Sequence, residues 1–212
     1  MRTPLLLLFV LFFSASRAQF LQDVNGRPYL TTNYEQYEGS PLLFSSWVQA
    51  RVVTSSGKVY DSMLINIDVY QDQPLFVRDG VTYTFTDKIQ EFSLTDGLTN
   101  LTFKKGHLIS ADLPDVFMEL VSTKPLVVKH STRKLVDVPT YGTMTHSFRF
   151  ADATVFYSNV GGSFRKITLS KKEAETLFAS KWKEVSAYAD QTDLSFKTEA
   201  GWRMLLRYYS TL

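Results

Sequence analysis

The sequence contains no cysteine and only three histidines among its 212 residues. The absence of cysteine excludes disulfide bonds, a thiol nucleophile, thiolate metal ligands and lipid attachment through a cysteine thiol. An excess of charge of one sign is also missing, since the chain has 23 Lys and Arg and 21 Asp and Glu. Nucleic acid is therefore not expected as a partner, because phosphate binding requires clustered basic residues. A chain of this length can bury a stable core without covalent cross-links.

The one long apolar run lies at the start of the sequence. Arg2 supplies a positive charge, a ten-residue apolar run extends from Pro4 to Phe13, and Ser16-Arg17-Ala18 places small residues where a signal peptidase cleaves. A transmembrane helix requires about 20 apolar residues. The pattern predicts a signal peptide at residues 1–18 and export to the periplasm, the cell surface or the medium. No integral membrane segment is expected after cleavage.

The rest of the chain divides into three regions by its hydrophobic periodicity. Residues 19–46 form a lead-in arm, in which Tyr29, Tyr34 and Tyr37 are expected to pack onto the body. Residues 47–169 alternate with a period of two between turn residues, which predicts antiparallel strands. Residues 170–212 change to a period of 3.6 and predict a helical hairpin. The fold class expected is mainly β (α+β): an antiparallel β-meander forming a sandwich or half-barrel, with a C-terminal pair of short helices packed on the sheet.

Residues 59–69 show the clearest alternation in the β region. Apolar residues occupy one face of this predicted strand, while Ser62, Asn66 and Asp68 occupy the other. This pattern is typical of a strand with one buried face. Arg78-Asp79-Gly80 and Gly161-Gly162-Ser163 predict hairpin turns.

Both predicted helices have recognisable starts and apolar stripes. Ser170 and Glu173 have the spacing of a capping box, and Thr198 opens the second helix. Trp182 and Trp202 lie in the two apolar stripes. Neither helix is long enough to be stable alone, so both are expected to dock on the sheet.

Four short strings of turn and core residues follow one another along the chain. They are Gly39-Ser40-Pro41-Leu42, Gly57-Lys58-Val59-Tyr60, Pro74-Leu75-Phe76-Val77-Arg78-Asp79-Gly80 and Leu194-Ser195-Phe196-Lys197. In this order, after a signal peptide, the chain resembles small exported proteins of unassigned function found in Bacteroidota. The resemblance implies a periplasmic or surface location and a β-rich body, and it supplies no catalytic residue. Asp61-Ser62-Met63 also resembles the short acceptor for O-linked glycans in exported Bacteroidota proteins.

Candidate chemistry is sparse. His107 follows a turn, His130 lies in a strand of mixed polarity, and His146 shares an apolar strand face with Met144 and Phe148. No serine-hydrolase elbow, zinc-binding pair of histidines or phosphate loop is present in the sequence. Asp112 and Asp115 flank Leu113-Pro114 close to Glu119, but these acids do not have the spacing of a calcium loop and are typical of a solvated turn. No catalytic residue, metal site or cofactor is therefore predicted.

Three hypotheses about function remain open at the level of sequence. The first is an exported, non-catalytic envelope module that binds or scaffolds a partner through its β surface. The second is a carrier of a small apolar ligand in a curled-sheet cavity, with Met144, His146 and Phe148 as its pocket. The third is an envelope hydrolase, which would require a histidine or an acid pair converging in a cleft.

Overall fold

A computed structural model describes residues 24–29, 34–96, 99–139 and 146–212. The predicted signal peptide at residues 1–18 lies outside these residues. The strands are β1 (Gly26–Pro28), β2 (Tyr37–Glu38), β3 (Val48–Thr54), β4 (Val59–Asp68), β5 (Gln73–Arg78), β6 (Val81–Phe85), β7 (Ile89–Asp96), β8 (Thr99–Lys105), β9 (Phe117–Thr123), β10 (Leu126–Pro139), β11 (His146–Val160) and β12 (Ser163–Ile167). The helices are α1 (Lys171–Phe178), α2 (Trp182–Gln191) and α3 (Glu199–Tyr209).

These strands form one sheet in the order β1-β6-β5-β4-β3-β7-β8-β9-β10-β11-β12. Two antiparallel meanders, one from β3 to β6 and one from β7 to β12, meet where β3 pairs with β7. The two-residue β2 pairs in parallel with β11. The sheet curls without closing into a barrel. The prediction of a mainly β, antiparallel fold with a C-terminal helix pair is confirmed.

Tight turns set the register of the meanders. Asp79 and Gly80 both have positive φ (51° and 77°), as does the Gly161-Gly162 pair. Two consecutive positive φ angles match the right-handed twist of the flanking strands, which is why such turns favour glycine and aspartate. Both hairpin turns predicted from the sequence are present.

A large part of the sheet is covered by an apolar core made of its own side chains. Phe92 is fully buried and stacks on Phe103 with 4.8 Å between ring centroids, and the Phe117 ring lies 5.2 Å away. Phe44 covers this stack edge-on. The remaining buried members of this core are Ala50, Val52, Tyr60, Ile65, Ile67, Val69, Phe76, Ile89 and Leu94.

Strand β4 departs from the expected pattern in two ways. Ser62 has φ +59°, and the β3–β4 register shifts between Ala50 and Val52, so a bulge interrupts the alternation. Asn66 and Asp68, expected on a polar face, are 1% and 0% exposed. For Asn66 and Asp68 the expectation of a solvent-exposed face is wrong, because the N-terminal arm covers them, whereas Ser62 is exposed as expected.

The arm replaces a neighbouring strand along the second half of β4. Leu43 N donates to Ile67 O, and Val69 N donates to Pro41 O. These bonds continue the β3–β4 ladder past Val48, the first residue of β3. Between these two stretches the Asn66 amide bonds the backbone of Phe44, with Phe44 N donating to Oδ1 at 3.1 Å and Nδ2 donating to Phe44 O at 2.8 Å. The buried Asn66 amide therefore supplies the hydrogen bonds that a neighbouring strand would otherwise give to the backbone of Phe44.

Asp68 attaches the arm through tyrosine hydroxyls. Its Oδ2 accepts from Tyr29 Oη at 2.6 Å and Tyr34 Oη at 3.0 Å, while Oδ1 accepts from the backbone N–H groups of Tyr70 and Gln71. Burial and the adjacent Asp68 carboxylate raise the pKa of Tyr34 to about 12 and also raise that of Tyr29. Tyr37 instead contacts aromatic rings of β11.

Side chains connect the arm, the end of β4 and the β4–β5 turn to strands β9 and β10, which are not their neighbours in the sheet. We call Asp68, Asp72, Thr132 and Arg133 the polar seam. Beyond the Asp68 bonds, Asp72 Oδ1 accepts from Phe117 N at 2.9 Å, Thr132 Oγ1 donates to Val69 O at 2.9 Å, and Arg133 Nη2 donates to Leu42 O at 3.1 Å. These bonds join parts of the sheet that no backbone ladder connects.

The three helices pack on β10, β11 and β12 through an apolar core. Trp202 is 1% exposed, and its Nε1–H donates to Phe196 O at 2.6 Å. The other buried members are Val127, Phe156, Ile167, Ala174, Phe178, Val185, Ala189, Leu205 and Leu206. Ser170 and Thr198 cap α1 and α3 as predicted, each accepting from a backbone N–H three residues on. The first predicted helix is divided by a 3-10 turn at residues 179–181, where Ala179 has φ +38°.

The helices of the described residues are too short or too polar to span a bilayer.

Candidate functional site

A groove with a volume of about 390 Å³ lies beside the filled core. It is formed by four connections that are distant in the sequence: the β3–β4 turn, the β4–β5 turn, the β6–β7 connection and the β8–β9 loop. The lining residues are Ser55, Asp72, Gln73, Pro74, Phe85, Asp87, Lys88, Ile89, Gln90, Lys105, His107, Asp115 and Phe117. We call this site the polar groove.

An ion pair crosses the inner end of the polar groove. Asp72 has φ +54°, a left-handed conformation that aspartate tolerates in turns, and its Oδ2 lies 2.7 Å from Lys105 Nζ. The Lys105 ammonium also lies 4.2 Å from the centre of the Phe117 ring. Both charged groups are mostly buried, with side-chain exposures of 20% for Lys105 and 22% for Asp72. The pair is fixed in place because Asp72 also accepts from Phe117 N.

A second charged pair lies nearer to solvent. His107 Nδ1 is 2.5 Å from Asp115 Oδ1, and the side chains are 49% and 67% exposed. This contact leaves Nε2 of the imidazole ring and the second carboxylate oxygen available to a ligand. The loop that carries the pair closes at Gly106, where Gly106 N donates to Val116 O and an added Cβ would lie 2.0 Å from Pro114 O. Only glycine fits at that close approach.

The remaining polar wall comes from the β3–β4 turn and the β6–β7 connection. Ser55 N donates to Lys88 O at 2.8 Å, which joins the two segments. Asp87 Oδ2 accepts from Tyr60 Oη at 2.8 Å. Burial is the largest influence on Tyr60 and raises the pKa of its phenol, so the phenol is a neutral donor to Asp87.

The pocket predicted around β11 is only partly within the described residues. Met144 and the side chain of His146 lie outside them. Phe148 is 39% exposed, and its ring contacts Tyr37 edge-on at 6.2 Å. Phe148 therefore lies on the surface beside the arm, and the polar groove is lined by other residues. The assignment of Met144, His146 and Phe148 to an apolar pocket stays a prediction.

The structure separates the other candidate residues. His130 is half-buried, and burial lowers the pKa of its imidazole, with Asp72 and Lys105 acting in opposite directions. Asp115 faces His107, whereas Glu119 lies under α3. Asp112 Oδ2 accepts from Phe164 N at 3.4 Å. Among the described residues no three His, Asp or Glu side chains are grouped so that they could hold a metal ion.

Glu119 belongs to a four-residue ion network between the sheet and α3. Lys129 Nζ lies 2.8 Å from Glu199 Oε1 and 3.5 Å from Glu119 Oε2, and Arg203 Nη2 contacts both carboxylates. Burial raises the pKa of Glu199, but hydrogen bonds from Lys129 and Arg203 outweigh it, and the net pKa is lowered. The network orients α3 on the sheet.

Sequence reasoning identified only two residues of the polar groove as candidates for chemistry. The sequence points to His107 and Asp115 separately and does not predict that they pair. Asp72 and Asp87 lie in connections whose sequences are typical of ordinary turns, and Gln90 lies in strand β7. The one signal available in the sequence was Lys105-Gly106-His107, where glycine starts a loop rich in polar residues.

No family model matches this chain, and no curated protein and no solved structure matches it either. The fold therefore defines the class: a mainly β, antiparallel curled-sheet protein with a C-terminal helix pair and a polar groove beside its core.

Proposed function

We propose that the protein is an exported, non-catalytic binding module of the cell envelope that holds a ligand in the polar groove. The observation that carries the proposal is the contrast between the filled core and the groove next to it. The aromatic core is packed with its own side chains, and the polar groove beside it offers space among polar groups. A groove of this size is within the range of small-molecule sites, about 300–1,000 Å³.

The arrangement of polar groups favours binding over catalysis. Asp72 and Lys105 bond each other, and Asp72 also bonds the backbone of Phe117, so this pair stabilises the fold. Within the described residues, no serine or threonine hydroxyl is hydrogen-bonded to the His107 ring, whose partner is Asp115. Nucleophilic catalysis would need such a contact between nucleophile and base.

Export is part of the proposal and is supported by the three-part layout of residues 1–18. If it is correct, the protein recovered from its native host begins at Gln19. Intact protein carrying residues 1–18 in the cytosolic fraction would contradict export.

The binding function can be tested by ¹⁵N–¹H NMR of the purified protein with three kinds of probe. These are a neutral oligosaccharide, charged hexapeptides and lauric acid. We expect at least one polar probe to shift the amide resonances of Ser55, Gln90 and His107, and the probe to be recovered unchanged. Lauric acid shifting Phe148 and its neighbours would support the carrier hypothesis instead. Conversion of a probe to products would support the hydrolase, and the absence of any groove shift would overturn the binding module.

A further inference from the structure

The carboxylates lining the polar groove already have partners inside the protein, and one of these contacts is a salt bridge to a lysine. Asp72 is paired with Lys105 at 2.7 Å, and Asp115 faces His107 at 2.5 Å. Asp87 accepts from a tyrosine hydroxyl. A strongly charged ligand would have to displace one of these partners, and a part-buried charge left without its partner costs free energy. Lys88 is exposed, so its charge is screened by water and salt.

The groups that remain available can both donate and accept hydrogen bonds. The side-chain amides of Gln73 and Gln90 line the groove half-buried and make no hydrogen bond to another described residue. Each amide offers a carbonyl oxygen and two N–H donors. The Ser55 hydroxyl has the same dual character, and Nε2 of His107 either accepts or donates, according to the tautomer of the ring. Ligand hydroxyl groups, which also donate and accept, are the natural partners for such a set.

The groove also has an apolar wall that could hold a flat ring. Phe85 and Pro74 are half-buried in the lining. The Phe85 ring is supported from behind by Phe76, with 4.7 Å between ring centroids. A pyranose ring has an apolar face of C–H groups and a rim of hydroxyls. It would therefore use the aromatic wall and the amide groups together.

We propose that the polar groove binds a neutral oligosaccharide, with Gln90 and the His107–Asp115 pair bonding its hydroxyl groups and Phe85 packing on a sugar ring. This inference rests on the proposed binding function and specifies its ligand class. A neutral ligand is favoured because the carboxylates of the groove already have partners inside the protein. A ligand rich in hydroxyl groups is favoured because the side-chain amides of Gln73 and Gln90 have no hydrogen-bond partner among the described residues.

Isothermal titration calorimetry with the purified protein can test the ligand class. The probes are neutral hexasaccharides of glucose, xylose and mannose, matched by an acidic hexasaccharide and a hexaglutamate peptide, each up to about 10 mM. We expect at least one neutral probe to bind, with an affinity that does not fall when salt is raised from about 0.1 to 1 M, because no ion pair is formed. Binding should exceed that of both acidic probes.

Variants locate the binding in the groove. Gln90→Ala and Asp115→Asn are each expected to weaken the neutral ligand about tenfold, as one lost hydrogen bond to the ligand predicts. Asp61→Asn is the matched control, because Asp61 is 71% exposed in its own ion pair with Arg51 and lies outside the polar groove. It should bind like wild type. Unchanged melting temperatures of all three variants would show that the losses are not due to unfolding.

The outcomes separate the ligand class from the proposed function. If an acidic probe binds in the groove and no neutral probe does, the oligosaccharide inference is overturned and the binding module survives. If no probe binds, or if Gln90→Ala and Asp115→Asn leave the affinity of a bound probe unchanged, both are overturned.

Discussion

Two regions of the molecule are stabilised by different chemistry. At the helical end, α1, α2 and α3 bury aliphatic and aromatic side chains against β10, β11 and β12, with Trp202 near the centre. At the polar seam, Asp68, Asp72, Thr132 and Arg133 make hydrogen bonds to backbone and tyrosine groups. Burial of apolar side chains stabilises the fold in proportion to the buried area, so small displacements of the side chains cost little. A hydrogen bond requires a particular partner at a defined distance and angle.

The comparison indicates a division of tasks. The helical end should supply stability, because buried apolar area is the main favourable contribution to folding. The seam should determine where the arm and the β4–β5 turn lie, because each of its bonds contributes only about 1 kcal/mol net but is costly to leave unmade. The seam also positions the polar groove, since Asp72 belongs to both.

The largest effect is expected from Trp202→Ala at the helical end. Removing this side chain leaves a cavity in the helix–sheet core and deprives Phe196 O of its donor, so we expect a loss of about 4 kcal/mol in the free energy of unfolding. Urea denaturation followed by circular dichroism measures it. Trp182→Ala is the control, because Trp182 is only half-buried and should cost less. Equal and small losses for both would show that the helices contribute little to stability.

A medium effect is expected from Asp68→Asn in the seam. The substitution keeps the shape but replaces one acceptor oxygen by a donor facing donors, which should cost about 2 kcal/mol. The pKa of Tyr34 should also fall from about 12, because burial remains while the charge of Asp68 is lost. Urea denaturation and spectrophotometric titration measure the two effects. Asp61→Asn, on the exposed face of the same strand, should change neither, and an unaltered tyrosine titration in Asp68→Asn would contradict the seam contact.

The smallest effect is expected from Glu199→Gln in the ion network, at about 1 kcal/mol near neutral pH. Because the folded pKa of Glu199 is lowered below its ordinary 4.5, its charge stabilises the fold above pH 4.5. That contribution disappears as the pH falls through the folded pKa. Glu199→Gln should therefore lose less stability in acid than the wild type does.

Melting temperatures from pH 7 to pH 3 measure this difference, and Glu184→Gln, in an exposed pair with Lys181, is the control. Parallel pH curves for wild type and Glu199→Gln would contradict the assignment.

Local sequence patterns predicted the elements well, and long-range contacts explain the differences. Alternation located the strands, and Ser170 and Thr198 marked helix starts, because those features depend on neighbouring residues. The burial of Asn66 and Asp68 could not be predicted, since the parts of the arm that cover them lie 22 and 39 residues away in the sequence. The groove was missed for the same reason. Its four connections meet only when the sheet curls.

The amino-acid sequence by itself determined the β and helical segments, the hairpin turns and the freedom from disulfide chemistry, because each follows from the properties of residues close together in the chain. Only the tertiary structure decided which polar residues are buried, which pair across the seam and which line the groove. Those outcomes depend on distances between segments remote in sequence. Asp72 illustrates the difference. Aspartate is a common turn residue, but its partners Lys105 and Phe117 lie 33 and 45 residues away and meet it only in the folded protein.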